Sequence, residues 1–182
     1  MECNKFGRIS RKLIDKNPYW KYYVDEYILP NGNIGKYYHI ETNGSVMIVP
    51  VLDNGLFLMT KQYRYLDKRF SYEFPGGGVK SGTTVEEAAR AELIEETGAI
   101  PSEIVQIGMF NPFNGVTSEI CNVFYAKISN FVEQHLDESE EIEIMKFSLE
   151  DIVNMIRSGA IYDGMTISAF SIYYVSHILA KQ

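Results

Sequence analysis

The chain has 182 residues, of which 46% are hydrophobic and 23% charged, and its 24 acidic and 17 basic side chains give a net charge of −7. These proportions are typical of one folded domain with a buried core. The acidic balance argues against nucleic acid as a partner, and no apolar stretch approaches the roughly 18 residues of a membrane span. Residues 1–16 are polar and charged, and the two cysteines have no metal-binding spacing. We therefore expect a cytoplasmic protein with reduced thiols and no membrane partner.

The first third of the chain is predicted to form antiparallel strands. From Trp20 to Arg64 it is rich in tyrosine, valine, isoleucine and phenylalanine, and Pro-Asn-Gly at 30–32 and Asp-Asn-Gly at 53–55 are strong turn signals. Residues 129–141 are expected to form a loop. Further strands are predicted at Ser71–Phe74, Ile104–Phe110, Ile120–Ile128 and Ile142–Phe147.

Helices are predicted at three places. Thr84 and Glu87 have the spacing of a capping box and open a helix that Gly98 and Pro101 should close. The segment 148–151 indicates the start of a short second helix, and residues 165–179 should form a C-terminal packing helix. With no repeat or linker, this order predicts a single α/β or α+β domain with a mixed sheet and helices on its faces.

A glycine-rich segment, residues 76–83, leads directly into the first helix. On that helix Glu92, Glu95 and Glu96 share an arc of about 100°. Like charges at this spacing repel by roughly 0.2–0.5 kcal/mol per pair, so the face is mildly unfavourable unless a cation lies there. Taken alone, such a helix is more often a solvated acidic face. Because Mg²⁺ prefers carboxylate and carbonyl oxygens, the cluster next to a flexible glycine loop favours a metal site.

The same segment resembles the Nudix box. The glycines, glutamates and aliphatic residue of that motif align with Gly77, Glu92, Leu93, Glu95, Glu96 and Gly98. The resemblance implies a Nudix-type αβα sandwich, with a mixed sheet flanked by helices. It also implies that Mg²⁺, or Mn²⁺ as a substitute, is held by the three glutamates and the carbonyl of Gly76.

Two positions depart from that box. Thr83 stands where the family has its first glutamate, and Ala91 stands where it has arginine. In the family these two side chains commonly pair and brace the loop against the helix. Because both are absent here, neither side chain is left with an unpaired charge. We expect the metal site to persist, and we expect Glu86 and Arg90 to substitute in part for the missing pair.

Motifs outside the box resemble the ADP-ribose and sugar-nucleotide pyrophosphatase subgroup. The Gln-Tyr-Arg run at 62–64 implies that Arg64 contacts substrate phosphate, although a surface arginine on a strand is the alternative. The Glu-Phe-Pro-Gly-Gly run at 73–77 and the segment ending in Glu119 imply that Glu73 and Glu119 contact the substrate.

The acidic run at 137–141 stands where the subgroup carries the glutamate proposed to activate water. We select Glu140 as the general base, with Glu95 and Glu141 as rivals. A charge run of this kind is otherwise a solvated loop. The three histidines, at 39, 135 and 177, lack ligand spacing and are read as ordinary strand, loop and helix residues.

The N-terminal region, residues 1–43, is rich in aromatic side chains and precedes the core at 44–182. Most of these rings should pack in strands. In the resembled subgroup, N-terminal strands cross between subunits and stack on the nucleobase. This implies a role in substrate binding for Trp20 or Tyr22, and a homodimer.

These observations predict Mg²⁺-dependent hydrolysis of the pyrophosphate bond in a nucleoside diphosphate sugar. The substrate most favoured is ADP-ribose, which would give AMP and ribose 5-phosphate. GDP-mannose, a UDP-sugar or NADH remain alternatives with the same chemistry. An alternative of another class is a Nudix domain that binds nucleotide sugars without turnover, which Thr83 and Ala91 motivate.

Overall fold

The computed structural model describes residues 6–136 and 141–181. Within them the strands form one three-stranded sheet and one seven-stranded sheet. In chain order the strands are β1 (Arg8–Lys16), β2 (Lys21–Ile28), β3 (Ile34–Glu41), β4 (Ser45–Leu52), β5 (Phe57–Arg64), β6 (Arg69–Glu73), β7 (Gly76–Gly78), β8 (Ala99–Phe110), β9 (Cys121–Phe131) and β10 (Ile142–Phe147).

The described residues contain three α-helices. They are α1 (Val85–Thr97), α2 (Leu149–Ser158) and α3 (Gly164–Tyr173). Capping boxes open α1 at Thr84 and α2 at Ser148, and left-handed glycines close them at Gly98 and Gly159. Both predicted helix starts are confirmed. None of the helices in the described ranges is long and apolar enough to cross a membrane.

The chain divides into two compact units. The first comprises Met1–Asn43 and Phe113–Glu119, and the second comprises Gly44–Pro112 and Ile120–Gln182. The segment 113–119 joins the first unit, where Ile40 donates its N–H to the carbonyl of Val116. Nothing in the sequence pointed to that contact.

The first unit is an antiparallel sheet in the order β1-β2-β3. Its turn between β2 and β3 contains Gly32 at φ 84°, as the Pro-Asn-Gly signal predicted. Strand β1 was not predicted, because its mixture of charged and apolar residues lacks a clear alternation. All nine residues of β1 are exposed.

The second unit contains a mixed sheet in the order β10-β5-β4-β9-β8, with β6 paired to β5 and β7 to β4. Strands β4 and β9 run parallel, and the other pairs are antiparallel. Strand β4 is buried on both faces. Val46 and Ile48 pack with α1, whereas Met47 and Val49 pack with α2 and α3. Burial on both faces explains why β4 is apolar without alternation, and it confirms the predicted mixed sheet with helices on each side.

Three predicted boundaries differ from the structure. The helix α1 ends at its Gly98 cap as predicted, but β8 begins at Ala99 rather than at Ile104, so Pro101 already lies in a strand. The expected loop at 129–141 begins later, since β9 continues to Phe131. The C-terminal helix is regular only through Tyr173 and continues as a π-helical turn at Tyr174–Ile178 and a 3₁₀ turn at Leu179–Lys181.

Candidate active site

The glycine-rich segment is a strand rather than a flexible loop. Gly76–Gly78 pairs antiparallel with Ser45–Met47 of β4. A side chain at Gly76 would collide with the carbonyl oxygen of Val46, so only glycine permits this close pairing. The strand is also supported just before it begins, where the buried hydroxyl of Thr166 accepts the backbone N–H of Phe74 at 3.1 Å. The expectation of a flexible loop is therefore wrong for these three residues.

Helix α1 brings its carboxylates against this glycine strand. Glu96 is buried, and one of its carboxylate oxygens accepts the backbone N–H of Gly76 at 3.0 Å. The Glu92 carboxylate lies so near Gly77 that a Cβ there would be 2.6 Å from its oxygens. The missing side chains of Gly76 and Gly77 thus leave room for two glutamates beside bare backbone.

Glu95 is the more exposed member of the cluster. Its side chain retains 45% of its accessible surface, and Lys80 approaches one carboxylate oxygen at 3.9 Å. Lys80 lies in the turn before α1, and its carbonyl oxygen accepts a hydrogen bond from the Thr83 hydroxyl at 2.7 Å. The lysine therefore connects the segment before α1 to the helix itself. An exposed pair at this distance contributes at most about 1 kcal/mol.

The suggested substitute pair is not a brace of this kind. Arg90 bonds Glu86 at 3.0 Å, but both side chains lie on α1 at i,i+4 spacing. A pair within one helix cannot join the helix to the preceding segment. The ion pair between Lys80 and Glu95 does join the helix to that segment.

Arg64 is oriented by a buried carboxylate. Its guanidinium donates to both oxygens of Glu73, one of them at 2.8 Å, and Gln62 donates to the same carboxylate at 3.2 Å. The hydrogen bond to Glu73 raises the pKa of Arg64, while partial burial opposes the shift. Glu73 is only 4% exposed, whereas the Arg64 side chain retains 49% of its surface. Glu73 thus fixes the orientation of the guanidinium group, while about half of the Arg64 side chain remains exposed to solvent.

These groups meet at a cleft of about 210 Å³. Of the residues selected from the sequence, it is lined by Arg64, Gly76, Glu92, Glu95 and Glu96. Five further residues line it that were given no site role: Gln62, Gly77, Gly78, Lys80 and His135. Gln62 and the glycines belonged to recognised motifs, but no local pattern marked His135.

The donor set fits a hard divalent cation. Carboxylate oxygens lie beside bare glycine backbone, and Mg²⁺ in proteins is commonly held by one or two carboxylates together with waters and substrate phosphates. Within the described ranges, no group of three or more acidic, histidine or cysteine side chains is placed to hold a metal ion on its own. Glu96 lies against the backbone of Gly76 and Glu92 lies against Gly77, and Glu95 lines the same cleft.

The remaining predicted residues lie elsewhere. Glu141 is exposed immediately before β10 and does not line the cleft. Glu140 lies outside the described residues. Trp20, Tyr22 and Glu119 all belong to the first unit. There Tyr22 packs near Tyr38 with ring centroids 6.3 Å apart, and the Glu119 N–H donates to the Thr117 hydroxyl at 3.0 Å.

Comparison with known protein families agrees with this arrangement. The family model described as the NUDIX domain matches residues 41–165, which include β7, α1 and the whole carboxylate cluster. The chain belongs to the Nudix family. The resemblance seen in the box is thereby confirmed, and Nudix hydrolases generally use divalent metal ions.

Two relatives align with most of this Nudix protein. An ADP-ribose pyrophosphatase of Bacillus subtilis (strain 168) is 35% identical over 168 residues, covering 91% of this chain and 86% of its own. A methanol dehydrogenase activator of Bacillus methanolicus is 28% identical over 151 residues, covering 82% of each. The crystal structure of an ADP compounds hydrolase superimposes with a TM-score of 0.82 at 20% identity, covering 97% of this chain and 95% of that one. The last comparison confirms the predicted fold.

Proposed function

We propose that this Nudix protein hydrolyses the pyrophosphate bond of a nucleoside diphosphate sugar, with ADP-ribose as preferred substrate and AMP and ribose 5-phosphate as products. The observation that carries the proposal is the meeting of the glycine strand, three glutamates and a supported arginine at one cleft. The 35% identity to an ADP-ribose pyrophosphatase supports the choice of sugar nucleotide. We further propose Mg²⁺ as the working metal, with Mn²⁺ as a substitute.

The glutamates, the Gly76 carbonyl and Arg64 would have separate tasks in this reaction. Glu92, Glu96, Glu95 and the Gly76 carbonyl would hold the divalent cation. When bound, the cation neutralises diphosphate charge and makes a water molecule more acidic. Arg64, oriented by Glu73, can direct two parallel N–H groups at phosphate oxygens and stabilise the charge that develops on them.

The general base must lie within reach of the attacking water. Of the described candidates, Glu95 lines the cleft and retains exposed carboxylate surface, whereas Glu141 does not line it. This contrast favours Glu95 over Glu141. Single substitutions of Glu95, Glu140 and Glu141 by glutamine, compared by turnover rate, would identify the base, since only its loss should slow turnover without weakening substrate binding.

The contribution of the first unit is a separate proposal. Strand β1 exposes Ile9, Leu13 and Ile14 at 51%, 43% and 46%, and a three-stranded sheet this open is a suitable surface for a second copy of the chain. We expect a homodimer, in which Trp20 or Tyr22 stacks on the nucleobase and Glu119 contacts the substrate. Light scattering coupled to size exclusion would measure the mass. The cytoplasmic location expected from the sequence stays a prediction.

The decisive experiment is a substrate panel. The purified protein is incubated with Mg²⁺ or Mn²⁺ and with ADP-ribose, GDP-mannose, UDP-glucose, NADH or a nucleoside triphosphate, and phosphate is measured after phosphatase treatment. Preferential release from ADP-ribose supports the proposal, and preference for another sugar nucleotide changes the substrate. No release from any compound, combined with measurable binding, would establish a non-catalytic nucleotide-sugar-binding domain instead.

A further inference from the structure

The segment that follows β9, Val132–Leu136, is attached to the C-terminal end of α1. Val132 donates its N–H to the carbonyl of Gly98 at 2.8 Å, and His135 donates its N–H to the carbonyl of Glu95 at 3.0 Å. The side-chain amide of Gln134 donates to the carbonyl of Glu96 at 2.5 Å. Carbonyls in the last turn of a helix have no partner within the helix, so these bonds supply the hydrogen-bond donors that the helix itself does not provide.

The close approach of this segment depends on the glycine that ends α1. Gly98 has φ 66°, a conformation that favours glycine. A Cβ at that position would also collide with the carbonyl oxygen of Val132. The position of Val132–Leu136 against the helix is therefore specified by backbone geometry at Gly98 as well as by three hydrogen bonds.

One consequence is that His135 belongs to the cleft. Its backbone is bonded to Glu95, and both residues line the cleft together with Arg64 and Lys80. The volume of about 210 Å³ is below the 300–1,000 Å³ typical of pockets that enclose a whole drug-sized ligand. The cleft therefore suits the diphosphate portion of a sugar nucleotide better than the entire molecule.

We propose that His135 is a substrate-contacting residue, whose imidazole N–H donates a hydrogen bond to a phosphate oxygen of the diphosphate. This inference rests on the proposed function for the identity of the natural ligand. Imidazole always offers at least one N–H donor, and a charged acceptor strengthens such a bond. The hydrogen bond from the Gln134 amide to the Glu96 carbonyl holds the neighbouring residue of the same segment on α1.

Nuclear magnetic resonance of the ¹⁵N-histidine-labelled protein tests the contact directly. The His135 signals are assigned with the His135→Asn variant, and inorganic pyrophosphate is added with Mg²⁺ at constant pH. We expect the His135 signals to shift. Those of His177, which stacks on Tyr173 at 4.8 Å, should remain in place. Unchanged His135 signals at saturating pyrophosphate would overturn the inference.

Kinetics supply a second test. His135→Ala should raise KM for the substrate about tenfold while kcat changes less than about twofold, with His135→Asn intermediate because its amide still donates. An unchanged KM in His135→Ala would contradict the contact. The two proposals fail separately. Pyrophosphate shifts without hydrolysis would reject the proposed function alone, whereas hydrolysis without any His135 response would reject this inference alone.

Discussion

The two units of the protein differ in how their charged side chains are arranged. In the three-stranded sheet, opposite charges are paired near the surface: Arg11 bonds Asp25 at 2.9 Å and also contacts Glu41. In the seven-stranded unit, by contrast, α1 gathers three like charges at one cleft. Surface pairs each contribute roughly 0–1 kcal/mol, whereas a concentration of like charge lowers stability unless a cation binds. The proposed metal site accounts for the second arrangement.

The sheets also differ in how firmly their residues are held. Strand β4 is fully buried from Ser45 to Pro50, whereas β1 is exposed along its whole length. Side chains that touch a packed sheet have few alternative positions. Substitutions at the cleft should therefore have large effects on activity, and loss of an ion pair in the three-stranded sheet should have a small effect on stability that depends on pH.

The largest effect is expected for Glu96→Gln. The amide oxygen can still accept the Gly76 N–H, so the fold should persist, but a charge is lost from the proposed metal site. We expect turnover to fall about a hundredfold or more, with the melting temperature within about 2 °C of the parent. Glu86→Gln on the exposed face of the same helix is the matched control. Near-normal turnover in Glu96→Gln would refute the site assignment.

Neighbouring glycines of β7 should respond differently to the same added methyl group. In Gly77→Ala the new Cβ would lie 2.6 Å from the Glu92 carboxylate and displace it, so we expect turnover to fall by ten- to a hundredfold. In Gly78→Ala, no atom of the described residues lies within 4 Å of the new Cβ, and turnover should be close to normal. Equal losses in the two variants would indicate a general effect on the strand rather than on Glu92.

A smaller effect is expected at Lys80. Its ammonium group lies 3.9 Å from Glu95 and would compete with a bound cation for that carboxylate. Lys80→Met should therefore tighten Mn²⁺ binding in the absence of substrate by about two- to fivefold, as measured by electron paramagnetic resonance. Lys61→Met removes an ion pair to Glu143 on the sheet and should leave Mn²⁺ binding unaltered. Weaker Mn²⁺ binding in Lys80→Met would show that the lysine supports the site instead.

The smallest effect, and the one most dependent on pH, is expected in the three-stranded sheet. The hydrogen bond from Arg11 holds the pKa of Asp25 below its ordinary value of 3.8. A lowered carboxyl pKa contributes stability above the ordinary value, and this contribution is lost as pH falls through the folded-state pKa. Asp25→Asn should therefore lower the melting temperature at neutral pH and lose this difference in acid.

Thermal melting of both proteins from about pH 7 to pH 2 measures this dependence. Asp15→Asn in the exposed strand β1 is the control. A difference between Asp25→Asn and the parent that stays constant across the whole pH range would exclude the ion pair as its cause.

Much of the second unit was predictable, since its signals are local. The turn at residues 53–55, the capping boxes at Thr84 and Ser148, and the shared face of the α1 glutamates each depend on residues within a few positions of one another. Helical spacing alone places those carboxylates together. The glycines of β7 were recognised as important, but their role as a paired strand was not, because the partner β4 lies some thirty residues earlier.

The sequence by itself therefore determined the family, the order of most elements, and the acidic face preceded by glycines. Only the tertiary structure decided that β1 is a strand, that residues 113–119 join the first unit, that Glu73 supports Arg64, and that His135 lines the cleft. The physical reason is the same in each case. These features depend on hydrogen bonds between segments distant along the chain, and such contacts leave no period or spacing in the local sequence.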